Sequence, residues 1–94
     1  MLSKIPIDIN KIKPEDIDKE IIRAALIAEL DAINLYEEMA ALATHDDIKK
    51  ILLDVAKEEK EHVGEFQTLL LRFDQEQIHE LEEGKNEVEE LTGN

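Results

Sequence analysis

The sequence predicts an all-α protein: an antiparallel two-helix hairpin plus a short C-terminal helix, dimerising into a four-helix bundle. Three observations carry this. Hydrophobic residues make up 43% of the chain and charged residues 37%, with three Gly and two Pro, a mix rich in Ala, Leu, Ile, Glu and Lys that is typical of helical proteins. Between Pro14 and Gly64 there is neither Gly nor Pro. Across that stretch apolar residues recur at helical spacing on both sides of one polar break. At 94 residues the chain makes one small domain with a modest core, so help from a metal or from further copies is expected.

Residues 1–13, MLSKIPIDINKIK, have no helical period and contain Pro6. They read as an extended N-terminal arm, with Ile5, Ile7 and Ile9 to pack on a neighbour. Residues 14–94 form the helical unit. Pro14 suits a first helical position, and Glu15 and Asp16 suit the positive end of the helix dipole. A long helix is predicted from Glu15 to Ala43, with Ile22, Ala25, Leu26, Glu29, Ile33, Tyr36 and Ala40 on one face. Thr44-His45-Asp46-Asp47 breaks it, and Asp46 or Thr44 can cap the next helix. That second helix is predicted from Asp47 to Phe73, its stripe being Ile48, Ile51, Leu52, Val55, Glu59, His62, Phe66, Leu69 or Leu70, and Phe73. Asp74 then caps a shorter helix, QEQIHELEE. Gly84 is expected to interrupt it and leave KNEVEELTGN as a frayed acidic tail.

The formal net charge is -13. Too few Lys and Arg are present to build the basic patch of a nucleic-acid binder, and an anionic membrane surface would repel the chain. A field of this sign attracts cations. The chain has no cysteine, which excludes disulfides, thiolate zinc sites and iron–sulfur clusters. No apolar run approaches the ~18 residues of a membrane span. The expected compartment is the cytoplasm.

Two long helices joined by a short turn expose an apolar face that an identical hairpin can cover. Glu29, Glu59 and His62 lie within the apolar stripes. Burying a carboxylate or imidazole without a partner costs several kcal/mol, and a bound cation removes that cost. Glu29 and Glu59 each lie fifteen residues from a turn centred near residue 44, ~22 Å along the axis, so the two carboxylates face each other across the hairpin. His62 is one turn further on the same face as Glu59. One helix thus gives a Glu and the next gives Glu-x-x-His, which is half the ligand set of di-iron carboxylate bundles. A second copy supplies the other half by symmetry. This O/N set suits iron or manganese and admits zinc. The competing reading is a solvated charged face with a Glu–His hydrogen bond. Tyr36, on the Glu29 face, reads either as a core aromatic or as a group that hydrogen-bonds a metal-bound carboxylate or ligates weakly. His45 and His79 read as exposed.

AELDAINLYEEM (28–39) followed by DVAKEEKEHVGEF (54–66) resembles the encapsulated ferritins, ferritin-like proteins of encapsulin nanocompartments. The likeness is greatest to the archaeal type fused to the N-terminus of an encapsulin shell protein, and it covers about residues 15–92. It implies a ferritin-like hairpin whose dimers build a di-iron ferroxidase centre and assemble as an annular decamer, a pentamer of dimers. The family's ligands carry over to Glu29, Glu59 and His62, with Tyr36 beside them; by analogy with ordinary ferritins, Glu59 would be the better candidate for a carboxylate bridging both irons. Zinc, manganese or calcium would be substitutes for iron. The family often has acidic groups one before and two after the first Glu, where metal enters. Those positions are Ala28 and Asp31 here, so only half of that site is present. EELTGN does not read as an encapsulin-targeting peptide, and the expectation is that the chain is one piece of a fusion.

The function expected is oxidation of Fe(II) by dioxygen, supplying iron for mineral storage within the lumen of an encapsulin shell. Two alternatives remain open: a rubrerythrin-like peroxidase, against which the lack of cysteine argues, and a non-catalytic helical assembly module bridged by metal.

Overall fold

The computed structural model describes Asn10, Lys11 and residues 13–94. Most of the arm expected over 1–13 therefore lies outside the described residues. Of it, Asn10 and Lys11 form a turn and Lys13 is extended. A short 3-10 turn at Pro14–Asp16 leads into helix α1 (Ile17–Leu42). Helix α2 runs Asp46–Phe73 and helix α3 runs Gln75–Thr92.

Pro14 opens the 3-10 turn, closed by the Asp16 N–H donating to the Lys13 carbonyl at 2.9 Å. This turn takes the residues expected to open α1. Asp16 does not cap with its side chain; it pairs with Lys19 at 3.6 Å. At the other end, Ala43 leaves the helix with ψ 140 while its N–H still donates to the Met39 carbonyl. The cap of α2 differs from expectation. His45, not Thr44 or Asp46, does the work: its Nδ1 accepts from the Asp47 N–H at 3.1 Å. Asp46 falls inside the first turn of the helix, where its charge favours the dipole but its position no longer suits a cap.

α1 and α2 pack along their length as an antiparallel hairpin. The buried residues on the facing sides are small or branched: Ile22, Ile33 and Ala40 on α1, Ala56 and Leu70 on α2. These alanines let the backbones approach. Ala24 is buried too, about 200° round α1 from Ile22. Much of the predicted α2 stripe is not covered, because among the described residues each long helix has one long neighbour. Leu30, Ile48, Ile51 and Phe73 are each more than half exposed. The apolar faces that amphipathicity assigned to a core thus remain open along one side of the hairpin.

α3 corrects the expectation of a short helix and frayed tail. It continues through Gly84 to Thr92. Gly costs about 1 kcal/mol against Ala inside a helix, and its neighbours Leu81, Glu82, Glu83, Lys85 and Glu87 are favourable enough to carry it. The helix ends at Gly93 instead, with φ 80 and its N–H donating to the Glu89 carbonyl at 2.8 Å, a left-handed cap that only Gly adopts freely. Asp74 caps the start as predicted, accepting from the Gln77 N–H at 3.1 Å. No helix among the described residues is long and apolar enough to cross a membrane.

Candidate metal centre

The hairpin brings Glu29 of α1 together with Glu59 and His62 of α2. One ligand atom from each lies within 4.8 Å of the others. Glu59 and His62 are three residues apart and so project from one face of α2. Glu29 reaches them because both glutamates sit at the same height above the turn. His62 Nδ1 is 3.4 Å from Glu29 Oε2 and 3.4 Å from Glu59 Oε2. These are long for charge-assisted hydrogen bonds. The side chains of Glu29 and Glu59 are 18% and 19% exposed, and that of His62 is 43% exposed. The site is therefore sheltered at the carboxylates and open at the imidazole.

Glu29 Oε2 is buried and has no hydrogen-bond partner. Leaving such an acceptor unsatisfied costs about 1–3 kcal/mol, more when it is charged. Lys60, next in sequence to Glu59, does not relieve it. Lys60 Nζ turns outward to Glu37 Oε2 at 3.1 Å, tying α2 to α1 on the exposed rim. Two oxygen donors and one nitrogen donor converge on a point with no cationic side chain among them. That donor set fits a borderline or hard divalent ion such as iron, manganese or zinc. One chain supplies three donors, which is half of a two-metal carboxylate site.

The other predicted residues fall around this cluster. Tyr36 is half-buried on the Glu29 face, nearly two turns nearer the hairpin turn, whereas His62 lies on the far side of the carboxylates. Asp31 is buried, 6% exposed, and lies outside the cluster. Lys57, Glu58 and Glu61 are exposed, whereas Glu59 is partly sheltered. His45 is engaged in capping, and His79 is exposed, 3.9 Å from Glu80. The Glu37–Lys60 pair was not anticipated. Its only sequence signal is opposite charge on two outward faces, which is too common to single out.

Comparison with known proteins identifies the family and the fold. The Rubrerythrin family matches residues 20–92. The chain is 58% identical over 95 residues to a ferritin-like-encapsulin shell fusion protein of Pyrococcus furiosus, covering 99% of this chain and 28% of that protein. It is 39% identical over 71 residues to the encapsulin nanocompartment cargo protein EncC of Myxococcus xanthus, covering 76% of this chain and 55% of that protein. The chain thus spans little more than a quarter of the first relative and about half of the second. The crystal structure of the encapsulated ferritin domain from Pyrococcus furiosus superposes with a TM-score of 0.84 at 56% identity, covering 100% of this chain and 98% of that one. The resemblance carried by residues 28–39 and 54–66 therefore extends along the whole fold, and the chain belongs to the rubrerythrin family of ferritin-like proteins and, within it, to the encapsulated ferritins.

Proposed function

We propose that this protein is a ferroxidase, with Fe(II) as substrate and dioxygen as oxidant, working at a di-iron site formed where two copies meet. The observation that carries this reading is the orphaned Glu29 Oε2, buried beside Glu59 and a half-exposed His62. Iron held there would supply one-electron chemistry. Two Fe(II) give one electron each, and with two protons they reduce one dioxygen to hydrogen peroxide. The residues do the rest. Glu29, Glu59 and His62 fix the substrate ions, and the paired anionic oxygens favour Fe(III) over Fe(II). By analogy with ordinary ferritins, Glu59 would be the carboxylate suited to bridge the two ions. His62, the most open of the three, would be the ligand free to meet the second copy. Tyr36 would hydrogen-bond a ligating carboxylate and hold its orientation.

Dimers of this kind would assemble as the ring of ten that the family resemblance implies, and the product Fe(III) would pass to mineral within an encapsulin shell. Both relatives carry encapsulin in their names, which supports a shell protein as partner and its lumen as location. A peroxidase of rubrerythrin type is the second reading, since that family matches. Comparing turnover of Fe(II)-loaded protein with peroxide and with dioxygen separates the two. The decisive experiment is stopped-flow Fe(II) oxidation by the wild type and by Glu59→Ala and His62→Ala. Both variants should lose the rapid phase by at least tenfold; retention of full rate in both removes the site assigned here.

A further inference from the structure

α2 and α3 are separated by one non-helical residue, Asp74, with φ -139 and ψ 89. Neither Gly nor Pro lies between Phe73 and Gln75, so no breaker forces the chain out of the helix there. The break is made by a side chain that competes with the helical backbone. Asp74 has two oxygens and uses them in two directions. Oδ1 accepts from the Gln77 N–H at 3.1 Å, inside α3. Oδ2 accepts from Arg23 Nη2 at 2.7 Å, across 51 residues of sequence on α1. The carboxylate is sheltered, at 11% side-chain exposure, while Arg23 at 47% reaches in from the surface.

Among the described residues of one chain, little else governs where α3 points. Among the described elements it packs against the end of α2, and no substantial contact joins it to α1. Its apolar residues Ile78, Leu81, Val88 and Leu91 are 41% to 80% exposed, so the body of the helix is not held by burial against its own chain. An 18-residue helix is ~27 Å long, and a turn of about 20° at its root moves its tip by roughly 9 Å.

We propose that Asp74 is a single-residue hinge latched by Arg23: one oxygen keeps α3 helical and the other aims it relative to the hairpin. The two duties are separable. Removing the Arg23 contact leaves the cap in place, so α3 stays folded and loses its direction. Removing the whole carboxylate costs both.

The absence of cysteine makes the test clean. Cysteines introduced at exposed Asn34 on α1 and Glu90 near the end of α3 accept spin labels at those two positions alone. Labelled chains are diluted into excess unlabelled full-length chain, so that pulsed dipolar spectroscopy reads the distance within one copy. The otherwise unchanged chain should give one narrow distance. Arg23→Gln should broaden it at least twofold with unchanged far-UV circular dichroism. Asp74→Asn retains a capping oxygen but presents an amide to Arg23, and it should broaden the distance likewise. Asp74→Ala should also raise exchange of the Gln77 amide at least tenfold. The proposal is overturned if Arg23→Gln and Asp74→Asn keep the narrow distance, or if either loses helical signal, since the residues would then support folding and not direction.

Discussion

At Glu29 the cost of function can be measured directly. Its Oε2 is buried without a hydrogen bond, an arrangement that is unfavourable until a cation or donor arrives. Glu29→Gln removes the charge and adds N–H donors beside Glu59. In chelator this variant should be more stable than wild type by about 1 kcal/mol, which for a domain of this size is a rise of roughly 4–8 °C in melting temperature. It should also lose the stabilisation that added Fe(II) or Zn(II) gives the wild type. A calorimetric scan with and without metal checks both. Glu29, Glu59 and His62 were readable from sequence because a helical stripe with polar members is a local pattern, and equal spacing from the turn fixes register. Asp31 was not readable as a buried residue. Position 31 lies about 200° round α1 from Glu29, off the stripe that faces α2, so amphipathicity marks it as an outward residue.

Asp74 and Gly84 set the character of α3. The Asp74 carboxyl is held below its ordinary value of 3.8, chiefly by the Gln77 N–H it accepts, with Arg23 and Lys19 adding to this and desolvation opposing it. A carboxyl lowered in the folded state stabilises fully above its unfolded value and loses that contribution as pH falls through the lowered one. The cap should therefore be unchanged from pH 7 to about 5, with loss beginning only below about 4. The Gln77 amide shift, followed by NMR, should stay flat and then move in acid, and the movement should vanish in Asp74→Asn. Gly84 is a different case. An added Cβ there meets nothing within 4 Å, so Gly84→Ala should strengthen α3 by about 0.5–1 kcal/mol, seen as slower amide exchange on both sides of the residue. The sequence pattern located α3 and its cap. It misjudged the helix's length because one Gly is a penalty and not a stop, whereas Gly93, adopting φ 80, is a stop.

The hairpin leaves Leu30, Ile48, Ile51 and Phe73 more than half exposed on a molecule of net charge -13. Burying such residues against a second copy releases roughly 25 cal/mol per Å² of apolar area, while the like charges of two copies oppose it and are screened by salt. Ile51→Glu, on the open face of α2, should keep the helical signal of the wild type, fail to associate when metal is added, and lose rapid Fe(II) oxidation. Light scattering with circular dichroism on the same sample checks this. The fold class and the half-site were legible in one chain's sequence because both arise from short-range periodicity. The direction of α3 was not, since it rests on a contact between Arg23 and Asp74 that no local pattern announces. The hairpin also constrains how this chain can change length. Inserting one residue into either helix between the turn and the site would rotate a glutamate by about 100° and shift it ~1.5 Å, carrying its carboxylate off the shared face. Residues 30–58 therefore behave as a fixed gauge in which insertions and deletions are forbidden singly and tolerated only in the three-residue turn at 43–45. α3 lies beyond that gauge, so a change in its length leaves the register of Glu29 with Glu59 untouched.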